Sequence, residues 1–451
     1  MKSVDKQCRV VFNDCRIFNI DNNKFVFSIP DNKIFEIDDQ VEKLISLSGE
    51  TLDDISKKMS SDYSENELCQ ILDTMEQSGF LNNSKAEEYS TKELKSLTLL
   101  LVQGCNLRCS YCYAEDGKYN DSGIMSKDTA FKAVDFILNK SKLKDIGICF
   151  FGGEPLLQFE LIKDIVAYCR EKEREEGRVF HFSMTTNGTL ITEEIERFII
   201  ENKISTQISI DGDADTHNKH RFFANKVGTH DYVMEKTKAL RKDKKLLARA
   251  TITKESIQNI EKNYMYLLNN GFRNIAMSAT YDMLDSNDFK RLTEAFSSMY
   301  VHCEELIKNG EFKKVKNNKM FMQELGRIHK AVRCDIACGV GRYTYAIDVH
   351  GDIYPCQRFV SNKEFCLGNV YEDDKKREEF LKEISFDKHE KCHGCWARNL
   401  CKGGCAHVNL TMTGKVSEPN SEYCSFVKSI NEQLVKIYLR LNEDEIAKLW
   451  G

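Results

Sequence analysis

From Leu97 onward six short apolar runs recur, LTLLLV, GICFF, VFHFSMT, TQISI, LLARATI and NIAMS, with helical stretches such as SKDTAFKAVDFILN, LQFELIKDIVAYCREKE and TEEIERFIIEN between them. Strand and helix in strict alternation build a parallel sheet. The fold class is α/β, and the pattern predicts a partial (β/α)6 barrel over residues 94–310, with its working loops at the carboxyl ends of the strands. The loop after the first run reads LVQGCNLRCSYCYAE and sets Cys105, Cys109 and Cys112 at C-x3-C-x2-C, with Tyr111 and Tyr113 flanking the last of them. It lies on the working face. Four cysteines would close the coordination sphere of a zinc ion or an iron–sulfur cluster, whereas three leave one corner open.

The flanks differ from this rhythm. In residues 1–81, RVVFND, CRIFNID and KFVFSIPDNKIFEID read as short strands with alternating apolar residues. Helices follow: Val41, Leu44 and Ile45 share a face, Thr51 caps a helix carrying Leu52, Ile55 and Met59, and Ser64 with Glu67 makes a capping box before Leu68, Ile71, Leu72 and Met75, with Gly79 at the stop. The expectation is a winged-helix-like α+β domain. Residues 82–93 are polar and charged and read as a linker. Residues 311–425 lack periodicity and hold nine cysteines between Cys334 and Cys424, so bound metal is expected to organise them. Residues 426–451 read as a C-terminal helix.

Eighteen cysteines in 451 residues, behind a polar start without a signal peptide, point to metal ligation rather than disulfides. No apolar run reaches the ~18 residues of a membrane span, and a net charge of -5 carries no polybasic footprint. A soluble cytoplasmic protein is expected, with neither nucleic acid nor membrane as partner.

The three-cysteine loop resembles that of the radical S-adenosylmethionine enzymes. In that family a [4Fe-4S] cluster held by three cysteines leaves its fourth iron to the methionine end of the cofactor, so the resemblance makes Cys105, Cys109 and Cys112 the catalytic ligands. The alternative is a structural zinc loop with a remote fourth ligand. FFGGEPLL, after the second strand, resembles the family's GGE motif for the cofactor's amino group: Gly152 and Gly153 permit close backbone approach, and the Glu154 carboxylate accepts from an ammonium. TTNGTL and SIDG also look like family loops. Ser209 would serve the cofactor's ribose or carboxylate, Arg249 on the fifth strand would pair with its carboxylate, and Tyr111 belongs to the same site. Arg221 reads as a loop arginine.

A second pattern lies toward the carboxyl end. Cys338 is followed by twelve residues, Gly351, four residues and Cys356; Cys392, Cys395, Cys401 and Cys405 make C-x2-C-x5-C-x3-C, and Cys424 comes after eighteen more. These intervals resemble the SPASM domain, an auxiliary-cluster module of radical enzymes that modify peptides. Carried over, Cys338, Cys356 and Cys405 would hold auxiliary cluster I, and Cys392, Cys395, Cys401 and Cys424 auxiliary cluster II, giving three [4Fe-4S] clusters in all. Cys334 either completes the first auxiliary cluster or leaves one iron open. A pair of zinc ribbons is the alternative. Cys8, Cys15, Cys69, Cys149, Cys169 and Cys303 read as small buried apolar residues, and Cys366 stays undecided.

CGVGRYTYAIDVHGDIYPCQRF looks like the corresponding segment of maturases acting on ribosomally made, cysteine-rich peptides. The amino-terminal domain resembles their recognition element, related to the pyrroloquinoline-quinone chaperone, in which an edge strand pairs with the leader of the precursor peptide. Anaerobic sulfatase-maturing enzymes share the layout but carry an Asp after the cysteine corresponding to Cys356; here Gln357 cannot act as a base. The resemblance thus implies thioether formation of the sactipeptide or ranthipeptide kind, with an electron donor such as flavodoxin or ferredoxin. Carbon–carbon or carbon–oxygen crosslinking is the alternative, and from another class a non-catalytic zinc-binding interaction protein.

Overall fold

The computed structural model describes residues 7–81, 93–243, 246–331, 337–360 and 362–451, so most of the expected linker and Cys334 lie outside the described residues. β1 (Cys15–Ile20), β2 (Asn23–Ser28) and β3 (Lys33–Ile37) form an antiparallel sheet in that order. Asp21 and Asn22 turn the first hairpin at φ of 48° and 70°, the left-handed pair that a two-residue turn needs and that Asp and Asn tolerate. α1 (Asp39–Ser46), α2 (Leu52–Lys58) and α3 (Glu65–Gln77) follow. Thr51 accepts from Asp54 N and caps α2, and Ser64 and Glu67 complete a capping box on α3. RVVFND departs from its reading as a strand. It makes only single bridges, Arg9 to Thr51 and Phe12 to Leu81, because Val10 bonds to Gly49 and Glu50 beyond α1 rather than to the sheet.

Both faces of this small sheet are covered. Val26 packs with Leu44, Ile55, Leu68 and Leu72 of the helices, while Phe18, Ile20, Phe27 and Ile29 on the other face belong to the main core. There the sheet meets Trp396, whose ring lies edge-on at 5.8 Å from Phe18 and 6.1 Å from Phe27, with the Arg16 guanidinium 4.4 Å above it. Asn399 Nδ2 donates to the carbonyls of Ile29 and Pro30.

The main sheet uses the six apolar runs. β4 (Ser96–Leu100) is followed by the short β5 (Val102–Gln103) and β6 (Gly123–Ile124), then by β7 (Asp145–Phe151), β8 (Val179–Thr186), β9 (Ser205–Ser209), β10 (Leu246–Ile252) and β11 (Arg273–Ala279). α4 (Lys127–Lys140), α5 (Phe159–Glu176) and α6 (Glu193–Glu201) lie between the earlier strands and bury one face each. The α/β partial barrel is present, and it extends further than the apolar runs. β12 (Thr344–Ile347) joins it parallel to β4, and β13 (Asp352–Tyr354) and β14 (Gly368–Asn369) continue it antiparallel, giving the order β11-β10-β9-β8-β7-β4-β12-β13-β14. TYAI and DIY are too short to show a period; their burial comes from the neighbour they pair with. The C-terminal helix also differs from its reading. It starts at Ser421, which takes Cys424 into its first turn, ends at Arg440, and is followed by a second helix, Glu443–Trp450. Among the described residues no helix is long and apolar enough to cross a membrane.

Trp396→Ala removes the ring that seats β1 and β2 on the main body, at an expected cost of about 3 kcal/mol. Amide exchange should accelerate in β1 and β2 while β7 to β9 keep their protection; equal acceleration throughout would show that the seat is not local.

Candidate functional site

The pairing of Val102 with Ile124 and of Gln103 with Gly123 closes the neck of the three-cysteine loop. The Gly152-Gly153 turn after β7 runs along this neck: Gly153 N donates to Val102 O at 2.8 Å and Glu154 N to Gly104 O at 3.0 Å. A Cβ on Gly153 would stand 2.0 Å from Gly104 O and 2.9 Å from Cys105 N. Gly117, at φ +81°, enters the same crossing, where a Cβ would meet Gly153 Cα at 2.7 Å. Only glycine lets three backbones meet here.

Glu154 ties this crossing to the next strand. Its buried carboxylate accepts from Thr186 Oγ1 at 2.6 Å, Asn187 N at 2.7 Å and Leu156 N at 3.0 Å, and burial pushes its pKa up to about 7. Asn187 Nδ2 then reaches back to Asn106 Oδ1 at 2.9 Å and Cys105 Sγ at 3.8 Å. After β9, the Asp211 carboxylate accepts from Arg221 Nε at 2.9 Å and Nη2 at 3.1 Å, from Thr251 N at 2.8 Å and from the Tyr111 hydroxyl. Burial works against its ionisation, but the Arg221 charge beside it holds the carboxyl below the usual carboxylate range. Arg221, expected to be a loop arginine, is therefore buried in a bidentate pair, with Nη1 4.0 Å from Cys109 Sγ.

One cavity of about 320 Å³ is lined by Cys105, Cys109, Cys112, Tyr111, Gly152, Gly153, Glu154, Ser209 and Arg249. Burial, the Glu154 charge and the other two cysteines raise the Cys105 thiol to about 12; burial raises Cys109 to about 11 against the pull of Arg221. Thiols so reluctant to ionise alone ionise when a cationic metal centre supplies the missing charge. Three cysteines lining one cavity, with a guanidinium next to one of them, fit an iron–sulfur centre that has one free corner.

Two further groups of thiols form in the C-terminal segment. Cys338, Cys356 and Cys405 lie within electrostatic reach of one another, as do Cys392, Cys395, Cys401 and Cys424. Lys402, Gly403 and Gly404, between Cys401 and Cys405, take φ of 61°, 79° and 77°. The His389 and Tyr423 rings pack so closely on the two glycines that a Cβ would meet them at 2.5 and 2.9 Å. Cys366 donates to Gly368 O at 3.3 Å. Of the cysteines expected to be buried, Cys169 and Cys303 are, Cys15, Cys69 and Cys149 are half-buried, and Cys8 is exposed in the segment that makes only single bridges. Asp211 and Asn187 stand inside the quoted SIDG and TTNG loops without having been singled out; their bonds to Arg221 and Asn106 cross between elements and leave no local signal.

Residues 99–267 match the Radical SAM superfamily and residues 338–396 the SPASM iron–sulfur cluster-binding domain. The chain belongs to the radical SAM superfamily and carries a SPASM domain, and both domains imply iron–sulfur clusters. It is 30% identical over 310 residues to an uncharacterised protein of Methanocaldococcus jannaschii, across 68% of this chain and 96% of that one. It is 26% identical over 353 residues to a cysteine-type anaerobic sulfatase-maturating enzyme of Clostridium perfringens, across 73% of this chain and 93% of the relative. The solved structure of native anSMEcpe with bound AdoMet and Cp18Cys peptide superposes with a TM-score of 0.65 at 25% identity, over 77% of this chain and 99% of that one.

Gly153→Ala forces the turn away from Gly104 and Cys105. Anaerobic reconstitution of that variant should yield protein short of about one cluster's iron, the two auxiliary groups of cysteines still loading; full iron content would show that the crossing tolerates a side chain.

Proposed function

We propose that this enzyme joins a donor cysteine sulfur to a carbon of an acceptor residue in a ribosomally made, cysteine-rich precursor peptide. The observation that carries the reading is a shared cavity. Its wall includes the three-cysteine loop and also Gln357 and Arg358, which directly follow Cys356. A peptide in it would reach the site of hydrogen removal and the Cys338, Cys356 and Cys405 group together. The Cp18Cys peptide in the similar solved structure supports a peptide substrate. Gln357 argues against formylglycine formation, because an amide in that wall accepts no proton.

In this reading Cys105, Cys109 and Cys112 hold the cluster that binds S-adenosylmethionine, with Gly152, Gly153 and Glu154 toward its amino group and Ser209, Arg249 and Tyr111 around the rest. Held there, the cluster would donate an electron to the cofactor, and the cofactor would supply the 5′-deoxyadenosyl group that takes a hydrogen atom from substrate. Crosslinking then exchanges a C–H and an S–H bond for a C–S bond. The hydrogen atom would end in 5′-deoxyadenosine and the thiol proton in solvent, and an auxiliary iron–sulfur centre would supply the acceptor for the remaining electron. Cys338, Cys356 and Cys405 hold one auxiliary cluster, completed by Cys334 or left open to the donor thiolate, and Cys392, Cys395, Cys401 and Cys424 hold the other. A flavodoxin or ferredoxin would supply the first electron.

Leader binding falls to residues 1–81. A groove of about 540 Å³ between β3 and α3 is lined by Val26, Phe35, Ile37, Ile71, Met75 and Phe80 among others. Among the described residues β3 pairs only with β2, so a peptide strand has an edge to add to and apolar pockets for its side chains.

With iron, sulfide and dithionite, the parent protein should convert S-adenosylmethionine to 5′-deoxyadenosine. The triple variant Cys105→Ala, Cys109→Ala, Cys112→Ala should form none while retaining auxiliary iron. Cleavage that persists in it would end the assignment.

Ile71→Glu places a charge in the groove. Affinity for the precursor encoded by a neighbouring short reading frame should drop at least about tenfold, as expected for an unpaired buried charge, with cofactor cleavage unchanged. Unaltered affinity would move leader recognition elsewhere.

A further inference from the structure

The residues between Cys395 and Cys401 divide their side chains between two partners. Ala397 and Leu400 are buried, Leu400 in the main core. Trp396, Arg398 and Asn399 are given to the amino-terminal sheet. Besides the Trp396 ring against Phe18 and Phe27, Arg398 Nη1 donates to Asp14 Oδ2 at 3.0 Å, and Asn399 donates to the carbonyls of Ile29 and Pro30 while its own carbonyl accepts from Asn32 Nδ2 at 3.5 Å. The same Arg398 nitrogen donates to His393 O at 2.7 Å, and His393 lies between Cys392 and Cys395. Arg16 reaches the remaining cysteine's element: its guanidinium covers Trp396 and bonds to Glu432 Oε2 at 2.5 Å, on the helix whose first turn carries Cys424. Every segment that bears a cysteine of this group is therefore tied to the amino-terminal sheet.

Left to itself this loop would not keep its shape. Its helix is the four-residue turn Arg398–Cys401, far below the ~12 residues at which an isolated helix persists in water, and Lys402 leaves it at a left-handed φ of 61°. Thiols hold its two ends and the sheet holds its outer side. Burial and the charges of the neighbouring cysteines raise Cys392 to about 11 and Cys401 to about 12, so these thiols ionise when a metal centre supplies the missing charge. Resting on the ligand set and the leader-binding role proposed above, we propose that residues 392–401 anchor the leader-binding domain: ligation at Cys392, Cys395, Cys401 and Cys424 holds Trp396, Arg398 and Asn399 where they receive β1 and β2, and the docked sheet in return slows the loss of iron from this group. Coupling of this kind is reciprocal. With the group empty, the leader groove loses its fixed distance from the cavity, and presentation of the peptide comes to depend on iron supply.

The test uses the full chain, reconstituted anaerobically with iron and sulfide, and needs neither peptide nor S-adenosylmethionine. Release of iron to the chelator bathophenanthroline is followed in the parent and in variants of the amino-terminal sheet. The double variant Cys392→Ala, Cys424→Ala, which keeps the loop's own residues, identifies by its absence the phase that belongs to this group. That phase should quicken about fivefold in Arg16→Gln, which loses a ring contact and a half-exposed ion pair, and at least about tenfold in Phe18→Ala, which empties the seat of Trp396. The other phases should keep their rates, and Arg16→Lys should recover part of the loss. In the reverse direction, amide exchange in the double cysteine variant should accelerate in β1 and β2 and stay slow in α3. Unchanged release in both sheet variants overturns the anchor, as does undisturbed exchange in the double cysteine variant. Equal quickening of every phase overturns it too, since the sheet would then steady the whole chain rather than this group. Those failures leave the proposed function standing, whereas a double cysteine variant with the parent's full iron content strikes both the anchor and the ligand set on which it rests.

Discussion

The contact of Gly153 with Gly104 and Cys105 is the constraint from which the rest of the cavity follows. Parallel pairing of β4 with β7 sets Leu100 opposite Phe151, so the two outgoing chains leave the sheet side by side. Adjacent loops at strand ends ordinarily keep apart because side chains fill the space between them. Here three glycines remove that filling, and the backbone of the second loop donates to the carbonyls of the first. The position of Cys105 is therefore fixed by sheet register and two backbone bonds rather than by its own side chain. Glu154 passes the constraint on to β8 through Thr186, and Asn187 returns it to Asn106, which closes a ring of bonds around the cysteine loop.

A second ring is electrostatic. Asp211 and Arg221 are both buried, a costly placement that becomes tolerable because the guanidinium presents two parallel bonds and the remaining lone pairs are taken by Thr251 N and the Tyr111 hydroxyl. Removing one partner would leave the other charged and unsatisfied. The pair holds Tyr111, which stands between Cys109 and Cys112, and brings positive charge to Cys109, so the segment after β9, β10 at Thr251 and the cysteine loop are tied together.

Local rules made much of this legible in the sequence. Thr51 and the Ser64–Glu67 pair cap helices because capping is settled within four residues, and the six apolar runs became strands because each is long enough to show its pattern. The glycines of GGE and the spacing of the cysteines announced the loops. What stayed hidden depends on partners far along the chain. Tyr345 and Ile347 are buried only because β12 lies beside β4, and Arg221 looks like any loop arginine until Asp211 faces it. Trp396, between Cys395 and Cys401, follows no period; its meaning comes from Phe18 and Phe27, more than three hundred residues earlier.

That distant contact explains why the amino-terminal sheet exposes the edge it does. Native sheets protect their edges, since an open one invites any passing strand. On this sheet the protection is one-sided. β1 lies against the helix Ser421–Arg440, with Arg16 bonded to Glu432, and its Phe18 is fixed against Trp396. β3, at the opposite edge, pairs with no other strand among the described residues and has the apolar groove beside it. Fixing β1 beside the auxiliary cysteines therefore leaves one site for strand addition and gives that site a fixed position relative to the cavity. For a peptide that binds at β3 and must also reach the wall where Arg358 stands, this fixed geometry converts binding at one place into a raised effective concentration at the other. The advantage lasts only as long as the seat under β1 and β2 holds.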